Sequence, residues 1–176
     1  MTTVIAKKNA NGSVTIGFDS QVTPSNGTVQ KVTDVNGQFV LGVSGYLRYL
    51  DILQYTDVPK VHEAELESED FDARGYLITN VIPAWIKVLK DSFQDIPDTR
   101  EDWMGGSVLL VICGRIFTIG QEFSVVEHEE YAGIGSGSAY ALGALAAGKN
   151  VQKALEIAAS LDVYTGGTLS IAKVER

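Results

Sequence analysis

The sequence is short of thiols. A single cysteine, Cys113, stands among 176 residues, so no disulfide can close within the chain and a reducing, cytoplasmic setting is expected. Histidine is almost as scarce. His62 and His128 sit at no metal-ligand spacing and beside no serine motif, which leaves a Ser-His-Asp triad only as something assembled in space from distant residues. Positive charge is also in deficit: 14 Lys and Arg face 22 Asp and Glu, a net charge of -8, and no basic face is offered to a nucleic-acid backbone. No apolar run approaches the roughly 18 residues of a membrane span, and no basic-then-apolar leader precedes residue 2, so no membrane partner is expected. Repeats, low-complexity tracts and linkers are missing too, and residues 1–176 read as a single domain. At 45% hydrophobic and 20% charged residues, the chain has the composition of a packed domain rather than a disordered one.

What the sequence does have begins at Met1-Thr2. If Met1 is removed, Thr2 carries a hydroxyl and a free α-amine on one residue. Such an amine titrates at about 7.7 to 8.0, close enough to neutral to take the hydroxyl proton, and this pairing is one known way to activate a threonine nucleophile. The dipeptide alone is a weak signal, because Met-Thr is a common start.

The first third reads as antiparallel strands around Asn-Gly turns. Thr2 to Lys7 and Val14 to Phe18 flank Asn11-Gly12, and Thr33 to Val35 and Phe39 to Val43 flank Asn36-Gly37. Asn11-Gly12-Ser13 and Asn26-Gly27-Thr28 also fit a glycosylation pattern, but without a secretion signal they are better read as turns. Apolar residues at helical spacing predict helices over Leu47 to Tyr55 and Asp72 to Phe93, with the acidic stretch Glu63 to Asp72 as a solvated loop or helix start between them. Strands are expected at Ser107 to Cys113, Arg115 to Gly120, Phe123 to Val126 and Tyr131 to Ile134. Helices over Ala139 to Ala147 and Val151 to Leu161 and a strand over Leu169 to Val174 complete the pattern. Runs of strands followed by runs of helices point to a layered α+β domain rather than to βαβ units.

Two local features have a plain reading beside a chemical one. Cys113, in an apolar strand-like run, is better suited to packing than to nucleophilic attack. Gly133 to Ser138 could cradle a phosphate at a helix start, yet it lacks the full dinucleotide and P-loop spacings and serves equally as a capped strand-to-helix turn.

Several segments in order carry a family resemblance. These are Thr2-Thr3-Val4-Ile5-Ala6, Gly17-Phe18-Asp19-Ser20-Gln21, Lys31-Val32, Gly42-Val43-Ser44-Gly45, Ala132 to Ala141, and Asp162-Val163-Tyr164-Thr165-Gly166-Gly167. On them the chain resembles the proteasome β-type and HslV-like N-terminal-threonine peptidases of the Ntn-hydrolase superfamily. The stretch from about Gln54 to Met104 adds no motif.

The resemblance implies a four-layer αββα sandwich, two antiparallel sheets between helix layers, and a threonine-type endopeptidase. It implies Thr2 as nucleophile, Lys31 as the cation that keeps the amine unprotonated, Asp19 as the carboxylate that positions Lys31, and the Gly45 amide as oxyanion donor. Ser136, Asp162 and Thr165 would order the amine and its water. Read singly, Asp19 and Lys31 would make an ordinary surface ion pair, and Gly45 would simply end a strand. At Asp162 and Thr165-Gly166-Gly167 the chain looks more like the proteasome subunits than like HslV-like ones, and Tyr46 would crowd the substrate pocket. No cofactor is required for the chemistry. A structural sodium ion on the carbonyls of Ala159, Asp162 and Thr165 is implied, against which a capped helix end stands equally well. The expected assembly is a homo-oligomer of stacked rings, a dodecamer or tetradecamer, fed with unfolded protein or peptide by an AAA+ unfoldase. A small-amide Ntn amidohydrolase and a catalytically silent structural ring subunit are the alternatives.

Overall fold

A computed structural model of the chain describes residues 2–22, 27–93 and 105–176. Met1 and Asn26, on which two of the sequence readings fall, lie outside the described residues. Strands β1 (Thr3–Lys8) and β2 (Val14–Asp19) form the first expected hairpin, turning on Gly12 at φ +85°, with Asn11 Oδ1 accepting both the amide and the hydroxyl of Ser13. Strands β3 (Val32–Val35) and β4 (Phe39–Gly45) form the second, where Asn36 and Gly37 both adopt the left-handed backbone that a type I′ turn demands.

The next strands are β5 (Gly106–Ile112), β6 (Arg115–Ile119), β7 (Val125–His128), β8 (Tyr131–Gly135) and, last in the chain, β9 (Leu169–Val174). Two details differ from the sequence reading. Cys113 is not strand: at φ +52° it opens the two-residue turn Cys113-Gly114, half-buried against the core, where burial pushes its thiol pKa up. Strand β7 starts two residues late because Phe123 is left-handed, its amide bonded back to the Gly120 carbonyl.

Helix α1 (Arg48–Tyr55) is where its periodicity placed it, and the acidic stretch forms a short exposed helix, α2 (Glu63–Leu66). The expected long helix is present but not uniform, running as α3 (Ala73–Tyr76), a π-helical turn over Leu77–Val81, and α4 (Ile82–Phe93). Pro83 explains the wide turn. It has no amide to give the carbonyl four residues back, and the helix relaxes so that the Ile82 amide reaches Leu77, five residues back. Helices α5 (Ser138–Ala146) and α6 (Val151–Leu161) follow β8, and Asn150 caps α6 through the Lys153 amide.

The strands make two antiparallel sheets, ordered β8-β1-β2-β9 and β3-β4-β5-β6-β7. Strand alternation sorts their side chains into layers. Val4, Ala6 and Ile16 face Leu109, Val111 and Ile116 between the sheets. Ile5 points the other way, under Ala141, Leu145 and Leu155 of α5 and α6. Val108, Leu110 and Phe117 pack outward on Leu53, Leu77 and Trp85 from the opposite helices. Helices, sheet, sheet and helices thus stack in four layers. No helix among the described residues is long and apolar enough to cross a membrane.

The layers also set the two ends of the strands apart. Gly12, Gly37 and Gly114, at the tips of three hairpins, line one groove with Lys8 and Phe39. The start of β1 and the end of β4 therefore come together at the other end.

Trp85 anchors the outer core, fully buried and edge-on to Phe39 at 6.4 Å. Its indole Nε1 finds no hydrogen-bond partner among the described residues. Trp85→Ala is expected to lower the unfolding free energy by about 3–5 kcal/mol, and Trp85→Phe by less than half of that because the orphan donor leaves with the indole; urea denaturation checks both.

Candidate active site

The site starts from one buried carboxylate. Asp19 ends β2 with no exposed surface, and an unpaired charge there would be costly. Four donors answer it. Oδ1 accepts the Thr3 amide at 2.8 Å and the Lys31 ammonium at 2.9 Å, while Oδ2 accepts the amides of Gln21 at 3.2 Å and Gly166 at 3.1 Å. Lys31 is as deeply buried as Asp19, so this is no surface ion pair. Burial draws the Lys31 pKa down, and the hydrogen bond and charge of Asp19 oppose that pull. The Lys31 carbonyl accepts the Val43 amide of β4. The ion pair thereby ties the first sheet to the second.

A second cluster lies on the other side of β1. Ser136, just beyond β8, donates its hydroxyl to Asp162 Oδ2 at 2.6 Å. Thr165 donates to the same oxygen, also at 2.6 Å, and its Oγ1 meets Thr3 Oγ1 at 2.6 Å. Burial raises the pKa of the Asp162 carboxyl, but the bonds from Ser136, Thr165 and the Tyr164 amide outweigh it and hold the group below the usual carboxylate range. The crowding explains Gly137. A Cβ there would strike the hydroxyls of Thr3 and Thr165.

Thr2 stands between the clusters, 2% exposed, one peptide bond before the amide that Asp19 holds. Its carbonyl passes so close to Gly135 that no Cβ fits there. Gly45 closes β4 at φ +110° and lies against the Gly105 carbonyl and the Gly106 Cα, a crossing closed to any side chain. Tyr46, next in the chain, is 71% exposed and leans on Gly105 with its ring 6.4 Å from that of Tyr49. It borders the glycine crossing rather than filling the core.

The structure therefore brings Asp19, Lys31 and the Thr2–Thr3 peptide into one cluster and Ser136, Asp162 and Thr165 into another, with Gly45 at the same end of the sandwich. Ala159 lies apart from both hydrogen-bonded sets, within α6. The loop after α6 is closed internally, because the Asp162 carbonyl accepts the Thr165 amide and Asp162 Oδ1 accepts that of Tyr164. That is the geometry of a capped helix end. Thr3 is the residue that sequence reading passed over. Its signal was there, a second threonine after Thr2 at the head of β1, but it took the fold to bring Thr165 beside it.

No protein-family model matches the chain. Solved structures do. HslV from Trypanosoma brucei superposes with a TM-score of 0.69 at 19% identity, covering 99% of this chain and 100% of that one. BPH from Thiobacillus denitrificans gives 0.70 at 20% identity, and the same protein in complex with Epoxomicin gives 0.72 at 20%; each covers 99% of this chain and 98% of the other. This is a likeness of fold. The two antiparallel sheets between helix layers are the expected αββα sandwich.

The low pKa of Asp162 has a consequence for stability. Between its native value and the unfolded value of about 3.9, the native chain binds fewer protons than the unfolded one, so stability rises with pH across that window and is lost on acidification. The contribution of the carboxylate is complete above about pH 5 and disappears as pH drops through the native value. Urea denaturation from pH 7 to pH 2.5 should show wild type losing more stability on acidification than Asp162→Asn, with the two curves converging at the acid end.

Proposed function

We propose that the chain is the catalytic subunit of a threonine-type endopeptidase, with Thr2, freed of Met1, as its nucleophile. The observation that carries this reading is the meeting of the Thr3 amide and the Lys31 ammonium on Asp19 Oδ1, in a buried site one peptide bond from Thr2. A buried cation held there disfavours a second positive charge on the neighbouring α-amine, which stays available as a base near neutral pH.

The reaction then runs through the chain's own groups. Thr2 Oγ1 attacks the substrate carbonyl carbon while its proton passes to the α-amine, directly or through a water. The oxyanion takes the Gly45 amide; a donor of this kind contributes about a hundredfold or more in rate. Collapse of the tetrahedral intermediate breaks the C–N bond, and the leaving amine takes the proton from the α-ammonium. A water, deprotonated by the same amine, hydrolyses the ester and releases Thr2. Ser136 gives its one proton to Asp162, which leaves its oxygen free to act as an acceptor for the amine. A sodium ion on the carbonyls of Ala159, Asp162 and Thr165 would brace the loop that carries the Asp162 and Thr165 side chains; the Asp162 carbonyl keeps one lone pair beyond its bond to Thr165.

The fold shared with HslV further supports an oligomeric ring of identical subunits whose substrates are unfolded chains delivered by an AAA+ unfoldase. A cytoplasmic location accords with the lone cysteine.

The test uses Epoxomicin, the compound held by Thiobacillus denitrificans BPH. Its epoxyketone forms a ring with a hydroxyl and an amine of one residue. Intact mass should show loss of Met1 and a single adduct, absent in Thr2→Ala and kept in Thr2→Ser. A chain that retains Met1 and takes no adduct sinks the peptidase reading in favour of a silent ring subunit.

A further inference from the structure

We propose that Thr3 is a positioning residue of this site, a hydroxyl donor whose bond to Thr165 fixes the direction of the hydrogen-bond chain that ends on Asp162. The inference rests on the peptidase reading above and adds a residue to it. The donor count makes the argument. Thr165 has one hydroxyl proton and gives it to Asp162 Oδ2. In the 2.6 Å contact between the two threonine hydroxyls, Thr3 must therefore be the donor. The chain runs Thr3 to Thr165 to Asp162, and Ser136 closes on the same carboxylate oxygen from the other side.

Thr3 has no exposed surface, so water cannot replace its partner. A buried hydroxyl in a central strand is poorer than valine unless its bond is made, and here it is made to a group that passes the polarisation on. Thr3 is also held at its backbone, where its amide binds Asp19 Oδ1. One residue is thus clamped at its amide by the lysine-bearing cluster and at its hydroxyl by the serine-bearing one. The peptide joining it to Thr2 is aligned by both.

Loss of the Thr3 hydroxyl leaves Thr165 a weaker donor and the charge of Asp162 less dispersed. An amine near that charge holds its proton more tightly. The acid limb of the rate profile then moves to higher pH, whereas a residue that merely packs leaves the limb in place.

The experiment follows Epoxomicin adduct formation by intact mass from pH 5.5 to 9 on wild type, Thr3→Val, Thr3→Ser, Thr165→Val and the Thr3→Val/Thr165→Val double variant, with Tm recorded for each. Thr3→Val is expected to lower the limiting adduct rate roughly three- to tenfold, the worth of one hydrogen bond, with half-saturating inhibitor unchanged and the acid limb displaced upward. Thr3→Ser should restore rate and limb, and the double variant should be no slower than Thr165→Val alone. If Thr3→Val does not fold, Thr3→Cys, of similar size and a weaker donor, takes its place. A wild-type limb in Thr3→Val, or a rate loss that follows Tm and resists rescue by Thr3→Ser, overturns the proposal. Wild type that takes no adduct is a different failure: the peptidase reading itself falls and this inference with it.

Discussion

The structure depends on a carboxylate with nowhere else to go. Asp19 and Lys31 are both sealed from water, and such a pair rarely stabilises a protein by its attraction alone, since desolvating two ions offsets most of that gain. What makes it tenable is the full set of donors around Asp19, from Thr3, Lys31, Gln21 and Gly166. These four come from the first strand, the segment before the third, the segment just after the second and the loop before the last. A charge that must be satisfied from four places is a strong statement about how those places are arranged. Sheet packing by itself is tolerant of small slides; this cluster is not.

Around that fixed point the smaller features fall into place. Gly45, Gly135 and Gly137 each occupy a spot where a Cβ would strike backbone or a hydroxyl of the site. Glycine weakens strands and helix starts, and its presence at three such places shows close approach being favoured over local stability. The two polar clusters meet on Thr3, which is bonded to Asp19 through its amide and to Thr165 through its hydroxyl. These two clusters are therefore one connected system. Its members are nearly all buried, and each has its partner.

Much of this was legible in the residues. Asn36-Gly37 announced its turn, the segments flanking Asn11-Gly12 announced a hairpin, and the helical spacing of Tyr76, Val81, Trp85 and Leu89 announced a helix. Layer order was not legible from periodicity, because a strand buried on both sides reads the same whichever neighbour covers it; the family resemblance supplied it. The same holds for Asp19 and Lys31, whose burial depends on partners far along the chain. Cys113-Gly114 was missed as a turn since cysteine has no special liking for left-handed backbone, and here the sheet register imposes it. The wide turn before Pro83 was readable in principle from the missing amide. Thr3 was not, because a second threonine beside Thr2 looks like ordinary strand composition until Thr165 stands next to it.

Strand β1 lies inside its sheet, paired on one side with β2 and on the other with β8. The leading segment of a chain is ordinarily its loosest part, fraying on fast timescales and costing entropy whenever it must be held. Here that entropy is lost once, on folding, and Thr3 at the head of β1 is as deeply buried as the core it belongs to. On the proposed reading, in which Thr2 at the head of this strand reacts, order in β1 and order in the site are one requirement, and changes that tighten β1 against its neighbours should not trade one for the other.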